Sequence, residues 1–165
     1  MTDAILSLGS NLGDREATIR AAVRDIAMVA EITAVSSLVE TAALKPTGVD
    51  AAAPAYLNAV VAVRTHREPL DLLRELLAIE AAHGRVRDIR WGDRTLDIDI
   101  VAFGEVISDA AELTIPHPRA AERAFVLAPW LELDPEAVLP GFGRVDTLLA
   151  ASGDTVTPYP AEPLT

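Results

Sequence analysis

The run TLDIDIVAF, from Thr95 to Phe103, alternates apolar and acidic residues along its first half. On a β-strand successive side chains face opposite sides, so Asp97 and Asp99 share one face while the leucine and isoleucines between them share the other. The Cα atoms of the two aspartates are then roughly 6.5 Å apart. The pattern predicts a strand whose apolar face is buried and whose acidic face is open.

The segment just before this strand is unusually basic for the chain as a whole. The protein carries 25 Asp and Glu residues against 14 Lys and Arg, a formal net charge of -11. The segment GRVRDIRWGDR nevertheless contains four arginines and a tryptophan: Arg85, Arg87, Arg90, Arg94 and Trp91. Paired carboxylates hold hard divalent cations, and guanidinium groups hold phosphate oxygens. We therefore predict a site for a magnesium-bound polyphosphate.

The composition limits the class of protein. A chain of 165 residues suits one domain, which we place at 1–152, followed by a Pro-rich tail at 153–165 that should be extended or frayed. The acidic balance argues against a nucleic-acid or anionic-membrane partner. The absence of cysteine excludes disulfides and thiolate metal sites, and the N-terminus resembles neither a signal peptide nor a membrane span. We expect a cytoplasmic monomer.

The apolar patterns and turn signals give the order of elements. We predict strands at Ala4–Leu8, Ile32–Thr41, Tyr56–Thr65 and Thr95–Phe103, helices after Asp14 and from Pro69 to about Ala82, and a long loop over Ala42–Pro54. This order, β-α-β-β-α-β, predicts an α+β fold with a ferredoxin-like core. Such a core is a mainly antiparallel sheet with helices packed on it, here with C-terminal additions.

Several polar residues have both a structural and a functional interpretation. The turn GSNLG, from Gly9 to Gly13, could present N–H groups to an anion, but such turns more often only reverse the chain. Tyr56 and Asn58 begin a strand on the same side and could stabilise the fold or recognise a ligand. Glu80 could form a structural ion pair or contact a ligand. His117 could be a hydrogen-bonded structural group or, with Arg119 and Arg123, a phosphate donor.

Four motifs together resemble one enzyme family. They are LSLGSNLGDR, YLNAVVAV, GRVRDIRWGDRTLDIDIVAFG and LTIPHPRAAERAFVLAPW, and they lie between about Ala4 and Pro140. In this order and spacing the chain resembles the 6-hydroxymethyl-7,8-dihydropterin pyrophosphokinases. These folate-biosynthesis enzymes are ATP-dependent diphosphotransferases that move the pyrophosphoryl group of ATP to a pterin alcohol.

The resemblance implies a role for individual residues. Asp97 and Asp99 would bind two Mg²⁺ ions, and with Arg85 and Arg94 they would form the catalytic set. Residues implied at the ATP side are Glu80, Arg87, Ile100, Thr114, His117 and Arg123, with Glu80 in a positional role. Residues implied at the pterin are Thr41, Ala42, Leu44, Tyr56, Asn58, Trp91 and Phe125. Trp91 and Phe125 would sandwich the ring, and Asn58 would hydrogen-bond its polar edge.

The chain departs from the family pattern at a few positions. Ala42 stands where a proline is usual, and Asp93 replaces a common proline between Gly92 and Arg94. Asp88 and Asp93 add negative charge beside the expected phosphate position, which could weaken ATP binding.

Two other classes use the same order of elements. An RNA-recognition module would need aromatic-rich central strands and a basic face, whereas aromatics make up 4% of this chain. A regulatory domain that binds a small ligand without reacting it would leave the aspartate pair unexplained. Release of AMP from ATP in the presence of the pterin separates an enzyme from both.

Overall fold

The computed structural model describes residues 1–45, 48–50, 55–84 and 95–165, and for residues 43–45 and 48–50 it describes the backbone only. The predictions for Arg85, Arg87, Trp91 and Arg94 therefore lie outside the described residues, as does the side chain of Leu44.

The described part of the chain contains twelve short or long strands and four α-helices. The strands are β1 (Thr2–Ser10), β2 (Glu31–Val35), β3 (Val39–Thr41), β4 (Ala43–Lys45), β5 (Gly48–Asp50), β6 (Tyr56–Thr65), β7 (Asp97–Phe103), β8 (Ser108–Asp109), β9 (Thr114–Ile115), β10 (Val138–Leu139), β11 (Gly143–Arg144) and β12 (Thr157–Pro158). The helices are α1 (Arg15–Ile26), α2 (Pro69–Ala82), α3 (Ala124–Leu133) and α4 (Val145–Ser152), with one 3-10 turn at Ala120–Glu122.

The central sheet is antiparallel and has the strand order β12-β3-β6-β1-β7, with β2 also paired to β6. The first strand of the chain therefore lies between β6 and β7. Three two-stranded pairs, β4-β5, β8-β9 and β10-β11, lie outside this sheet. The expected combination of an antiparallel sheet with packed helices is confirmed.

Helices α1 and α2 cover one face of the sheet. Asp14 caps α1, because its side chain accepts a hydrogen bond from Ala17 N at 3.1 Å, and Pro69 opens α2. Their apolar stripes pack with the sheet residues of the same face in one core cluster: Leu6, Leu8, Ile19, Ala22, Val23, Ile26, Leu57, Leu72, Leu76, Ile79, Ile98 and Ile100. Each such side chain, fully buried, stabilises the fold by about 1.5–3 kcal/mol.

The second core lies on the opposite face and covers only one end of it. Helix α3 places Val126, Leu127 and Trp130 against Val60 of β6 and Val101 of β7. Helix α4 packs against α3. Within the described ranges this second layer does not reach the other end of the face, where side chains of β6, β1 and β7 form the candidate site.

The second predicted strand, Ile32–Thr41, is split in the structure into β2 and β3. The cause is Ser36, whose N–H donates to Val60 O and whose Oγ accepts from Val60 N, both at 2.9 Å. A serine side chain that bonds the neighbouring backbone competes with the ladder and bends the strand. Within the predicted loop Ala42–Pro54 the described residues include the β4-β5 pair, which the sequence interpretation did not predict.

The last residues extend along the sheet. Thr157 and Pro158 pair with Glu40 and Val39 of β3, and Tyr159 N donates to Leu38 O at 3.0 Å. The predicted extended form of the tail thus includes a short edge strand of the central sheet.

Candidate active site

Strand pairing assembles a row of site residues across the sheet. In an antiparallel pair, residues directly opposite each other project to the same face. Gly9 of β1 pairs with Asn58 of β6 on one side and with Asp97 of β7 on the other. Ser7 likewise pairs with Asp99. With strands about 4.8 Å apart, the Cα atoms of Asn58 and Asp97 are separated by about 10 Å, with only a glycine between them.

The two aspartates occupy the open face of β7, as the alternation predicts. Both are half-buried, while Leu96, Ile98 and Ile100 between and beside them are buried. The side chain of Asp99 is 45% exposed, and its Oδ2 lies 3.9 Å from His117 Nε2. These carboxylates are accessible to a ligand yet attached to a strand that is held on its inner edge by β1.

Glu80 holds the same strand from behind. It projects from α2, is only 2% exposed, and its Oε2 accepts a hydrogen bond of 2.7 Å from Ile98 N. That backbone N–H lies between the two aspartates in the chain. Glu80 therefore fixes the segment carrying the carboxylates from the helical side of the sheet, which agrees with a positional role.

A basic group faces the carboxylates from the segment after β9. His117 N donates to Val101 O at 2.9 Å, which joins this segment to β7. Arg119 N donates to His117 Nδ1 at 3.3 Å, so the neutral ring carries its proton on Nε2, the nitrogen nearer Asp99. Burial, followed by the charge of Arg123, lowers the pKa of His117 below its ordinary value, although Asp97 acts in the opposite direction. His117 is thus a neutral N–H donor at neutral pH.

Arg123 supplies the permanent positive charge of this group. Burial and the nearby charge of Arg119 lower the pKa of Arg123, and Asp99, Asp97 and Asp154 raise it. Because arginine is protonated throughout the ordinary pH range, Arg123 remains charged despite such a shift. Its guanidinium lies over the ring of Phe125, 5.3 Å from the centroid. The cation and the aromatic ring are therefore held together at the start of α3.

Asn58 is the clearest recognition group at the other end of the row. Its side chain is 3% exposed, and its Nδ2 is buried without a hydrogen-bond partner among the described residues. An unsatisfied buried amide donor costs free energy that a bound acceptor would recover. Tyr56 is half-buried on the same side of β6, opposite Thr41 of β3. This end of the row suits a flat ligand with a hydrogen-bonding edge.

The remaining predicted residues are not all on this surface. Ile100 lies in the core beneath the site and is 3% exposed, so only its backbone could face a nucleotide. Thr114 is exposed on β9, and Ala42 is exposed just after β3. The structure therefore brings together Asp97, Asp99, His117, Arg123 and Phe125 at one end and Tyr56 and Asn58 at the other.

Gly9 is a site residue that the sequence interpretation did not include. A Cβ atom at this position would lie 2.9 Å from Asn58 Oδ1 and 3.5 Å from Tyr56 Cδ1. The only sequence signal is a glycine at the end of a strand, which can mark a close approach of another group but was assigned to the turn that follows.

Among the described residues no cluster of three or more His, Asp or Glu side chains is arranged to hold a metal ion. No helix in that part of the chain has the length and apolar character needed to cross a bilayer.

Paired strand carboxylates facing a histidine and an arginine, with an amide donor across a glycine gap, have the chemistry to bind a polyphosphate and a planar partner. Comparison with known proteins identifies the family. The family model described as 7,8-dihydro-6-hydroxymethylpterin-pyrophosphokinase (HPPK) matches residues 5–135. The chain belongs to this family, and the assignment made from its motifs is confirmed.

Individual relatives carry the corresponding name, 2-amino-4-hydroxy-6-hydroxymethyldihydropteridine pyrophosphokinase. The protein from Pseudomonas aeruginosa is 44% identical over 148 residues, which cover 88% of this chain and 89% of the relative. The protein from Mycobacterium leprae is 42% identical over 164 residues, covering 91% and 83%. The protein from Bacillus subtilis is 42% identical over 132 residues, covering 79% and 77%.

Solved structures show the same fold. A structure described as HPPK-DHPS in complex with substrates superposes with a TM-score of 0.69 at 14% identity, covering 91% of this chain and 43% of that chain. A Plasmodium falciparum HPPK-DHPS structure gives a TM-score of 0.71 at 15% identity, covering 90% and 45%. The chain spans less than half the length of these solved proteins.

Proposed function

We propose that this protein transfers the pyrophosphoryl group of ATP to the hydroxymethyl group of 6-hydroxymethyl-7,8-dihydropterin, giving AMP and the pterin diphosphate, in folate biosynthesis. Family membership supports the reaction. The observation that carries it to this chain is the row Asn58-Gly9-Asp97, in which a buried amide that has no hydrogen-bond partner in the described part of the chain faces the same side as the carboxylates.

The donor set at β7 fits divalent metal ions. Asp97 and Asp99 present hard carboxylate oxygens from one face of a strand, which are the ligands that Mg²⁺ prefers. With two protein carboxylates, the remaining positions of each ion would be completed by phosphate oxygens and water, as is usual for Mg²⁺ at nucleotide sites. We propose two Mg²⁺ ions, which when bound would neutralise the charge of the triphosphate.

The protein groups then divide the work of binding and orientation. Asn58 would donate to the polar edge of the pterin, with Tyr56 beside it, and Phe125, which lies next to Arg123, would contact the ring from the other end of the row. His117 and Arg123 would donate to phosphate oxygens from the opposite end of the row. We propose that Arg85, Arg87 and Arg94 also donate to phosphate oxygens, and that Trp91 stacks on the pterin ring opposite Phe125. Other contacts near the substrates are assigned to Thr41, Ala42, Leu44, Ile100 and Thr114.

The bond changes follow from this arrangement. The hydroxymethyl oxygen of the pterin forms a bond to the β-phosphorus of ATP, and the bond from that phosphorus to the bridging oxygen of AMP breaks. The charge that develops on the leaving oxygen is stabilised by the arginine and histidine donors. We assign acceptance of the alcohol proton to Asp99 or to a water molecule on the metal ion that Asp99 would hold.

The topology of the fold is a further proposal. Along the chain the core strands are β1, then β2 with β3, then β6, then β7. In the sheet, β1 lies between β6 and β7. With α1 and α2 on one face, this order supports the ferredoxin-like βαββαβ arrangement. We propose that residues 1–152 form one domain and that 153–165 are its tail. We also propose that the protein is a cytoplasmic monomer with small-molecule substrates and no nucleic-acid or membrane partner.

The reaction is tested by AMP release. ATP, Mg²⁺ and 6-hydroxymethyl-7,8-dihydropterin should give AMP and pterin diphosphate in equal amounts, and ATP alone should give neither. Asp97→Ala and Asp99→Ala should remain folded by circular dichroism and lose several orders of magnitude in turnover, because a metal ligand is removed. Asp109→Ala, on exposed β8, is the matched control and should be unaffected. Near-normal turnover in both site variants would contradict the metal assignment.

A further inference from the structure

Arg15, in the first turn of α1, is bonded to two separate strands. One nitrogen, Nη1, donates to Glu40 Oε2 at 2.8 Å and to the backbone oxygen of Ala55 at 2.8 Å. Its guanidinium also lies over the ring of Tyr159, 5.8 Å from the centroid. The side chain is 24% exposed, so these bonds are partly shielded from water.

The two acceptors lie next to proposed substrate-binding residues. Glu40 immediately precedes Thr41 at the end of β3, and Ala55 immediately precedes Tyr56 at the start of β6. Thr41 and Tyr56 are a directly opposed pair in the β3-β6 ladder. Arg15 therefore bridges the two strands at their last described pair, and that pair borders Asn58.

We propose that Arg15 is a positioning residue for the pterin end of the site: by joining Glu40 to the Ala55 carbonyl it sets the spacing of Thr41 and Tyr56. This inference rests on the proposed function, because it concerns the substrate that those residues would bind. Arg15 acts through the two strand ends. Its first effect is therefore on pterin affinity, while the carboxylates of β7 and the ATP side are left unchanged.

The C-terminal tail limits the conformations of the Arg15 side chain. Thr157 pairs with Glu40, the same residue whose carboxylate accepts from Arg15, and Tyr159 is held by its N–H bond to Leu38 O. The aromatic ring is thus fixed against the guanidinium, and a stacked arginine loses rotamer freedom and keeps its fork directed at its acceptors.

Arg15 differs from the surface ion pairs that form between close neighbours in the chain. Arg74 pairs with Asp71 within α2, and Arg144 pairs with Asp146 two residues away. Exposed pairs of that kind contribute little to stability. Arg15 instead joins α1, β3 and the residue before β6, and one of its acceptors is a main-chain carbonyl. Loss of the Arg15 side chain should therefore change the position of the backbone at these strand ends.

The closest matched control is Arg64. It donates through Nε to Asp3 Oδ1 at 2.9 Å and so also joins two strands, β6 and β1, but near the far end of β6 from Tyr56. Arg64→Ala removes the same charge and a bond of similar length without touching the site. Arg15→Lys keeps the charge of Arg15 and one of its two directions of donation.

The experiment measures KM for each substrate together with kcat. Arg15→Ala should raise KM for the pterin about tenfold while KM for ATP and kcat at saturating pterin stay within about twofold, because displaced strand ends weaken the contacts that bind the pterin, and a tenfold loss of affinity corresponds to about one hydrogen bond. Arg15→Lys should recover part of the loss, and Arg64→Ala should show none. Equal increases in both KM values, or the same change in Arg64→Ala, would overturn the proposal.

A second measurement does not depend on the reaction. Hydrogen–deuterium exchange of the protein without substrates should become faster in peptides covering 39–41 and 56–58 of Arg15→Ala, and stay unchanged there in Arg64→Ala. Unchanged exchange in Arg15→Ala would refute the positioning role even if the pterin KM rose. If wild-type protein releases no AMP but the exchange result holds, the proposed function fails and the Arg15 bridge stands.

Discussion

At the scale of single residues, the chemistry of the site depends on which face each side chain takes. The alternation around Asp97 and Asp99 was enough to predict their common face, because a strand allows no other arrangement. The same reasoning placed Tyr56 and Asn58 together. It could not reveal that Asn58 is buried with an Nδ2 that lacks a partner among residues 1–45, 48–50, 55–84 and 95–165, or that Gly9 lies between the two halves, because both facts depend on the register between strands far apart in the chain.

Gly9→Ala tests the glycine gap. Its new Cβ would lie 2.9 Å from Asn58 Oδ1, so the amide must move from its present position. We expect pterin affinity to fall about tenfold, since a small displacement of an orienting group has effects of this order. The overpacking should also cost about 1–3 kcal/mol of unfolding free energy. Pterin binding is measured by fluorescence titration and stability by urea unfolding.

The double variant provides the control for Gly9. In an Asn58→Ala background the added methyl group has no amide to displace, so Gly9→Ala should have little additional effect on pterin affinity. Fully additive losses in the double-mutant cycle would mean that Gly9 acts through another contact.

The protonation of His117 gives a second prediction at this scale. In the protein without substrates, its pKa should lie below the ordinary value of about 6.5, because burial and Arg123 both disfavour the imidazolium. Arg123→Gln should move the pKa upward by removing one positive charge. The measurement is NMR of the imidazole protons against pH, and an unchanged or lower value in Arg123→Gln would contradict the assignment.

The sign of the linked stability follows. A histidine whose folded pKa is depressed contributes fully above the unfolded value of about 6.5, and the contribution is lost as the pH falls through that value toward the folded one. Stability of the protein should therefore be less sensitive to acid over this interval in His117→Gln than in the unmodified protein, which urea unfolding at several pH values would measure.

At the scale of elements, sequence patterns located the long strands and helices well and the interrupted ones poorly. Tyr56–Thr65 and Pro69–Ala82 agree with the structure at both ends. In α2 the buried positions are Leu72, Leu76 and Ile79 together with Glu80, whereas Leu73 and Leu77 are only half-buried. The break of the second strand at Ser36 depends on a bond to Val60, a partner that local periodicity cannot identify.

Glu80 shows how a helix can stabilise the strand that carries the site. Glu80→Ala leaves the buried N–H of Ile98 without its present acceptor, which should cost about 1–3 kcal/mol of unfolding free energy. Turnover should fall as well, because Ile98 lies between the two aspartates. Glu80→Gln keeps an acceptor oxygen and should be closer to the unmodified protein. Equal stability of Glu80→Ala and Glu80→Gln in urea would contradict the role given to this bond.

At the scale of the whole molecule, the tail is the part whose position the sequence could indicate least. Its prolines predict an extended chain, but several of its partners lie more than a hundred residues away. Arg20 donates to the backbone oxygens of Pro163 at 2.8 Å and Glu162 at 2.6 Å, and Leu164 packs against the larger core. No local pattern specifies such long-range contacts.

Deletion of residues 153–165 tests the contribution of the tail. Loss of the partly buried Tyr159 and Leu164 should lower the unfolding free energy by roughly 1–3 kcal/mol. It should also expose the outer edge of β3, and unpaired edges promote association. Urea unfolding measures the first effect and light scattering the second. A truncated protein of unchanged stability that stays monomeric would show that the tail lies on the sheet without supporting it.

The row that joins Asn58 to Asp97 across Gly9 also sets a fixed distance between the two ends of the candidate site. Its length is two inter-strand spacings, and that spacing is fixed by backbone hydrogen bonds at about 4.8 Å. Substitution of side chains can change which group is bound at either end of the row. It can alter the distance between the two ends only by disturbing the hydrogen bonds between the strands. In the proposed function, the sheet therefore sets which substrates have the right distance between the flat ring and the reacting oxygen. This selectivity should persist in variants whose affinity for the ring has been altered.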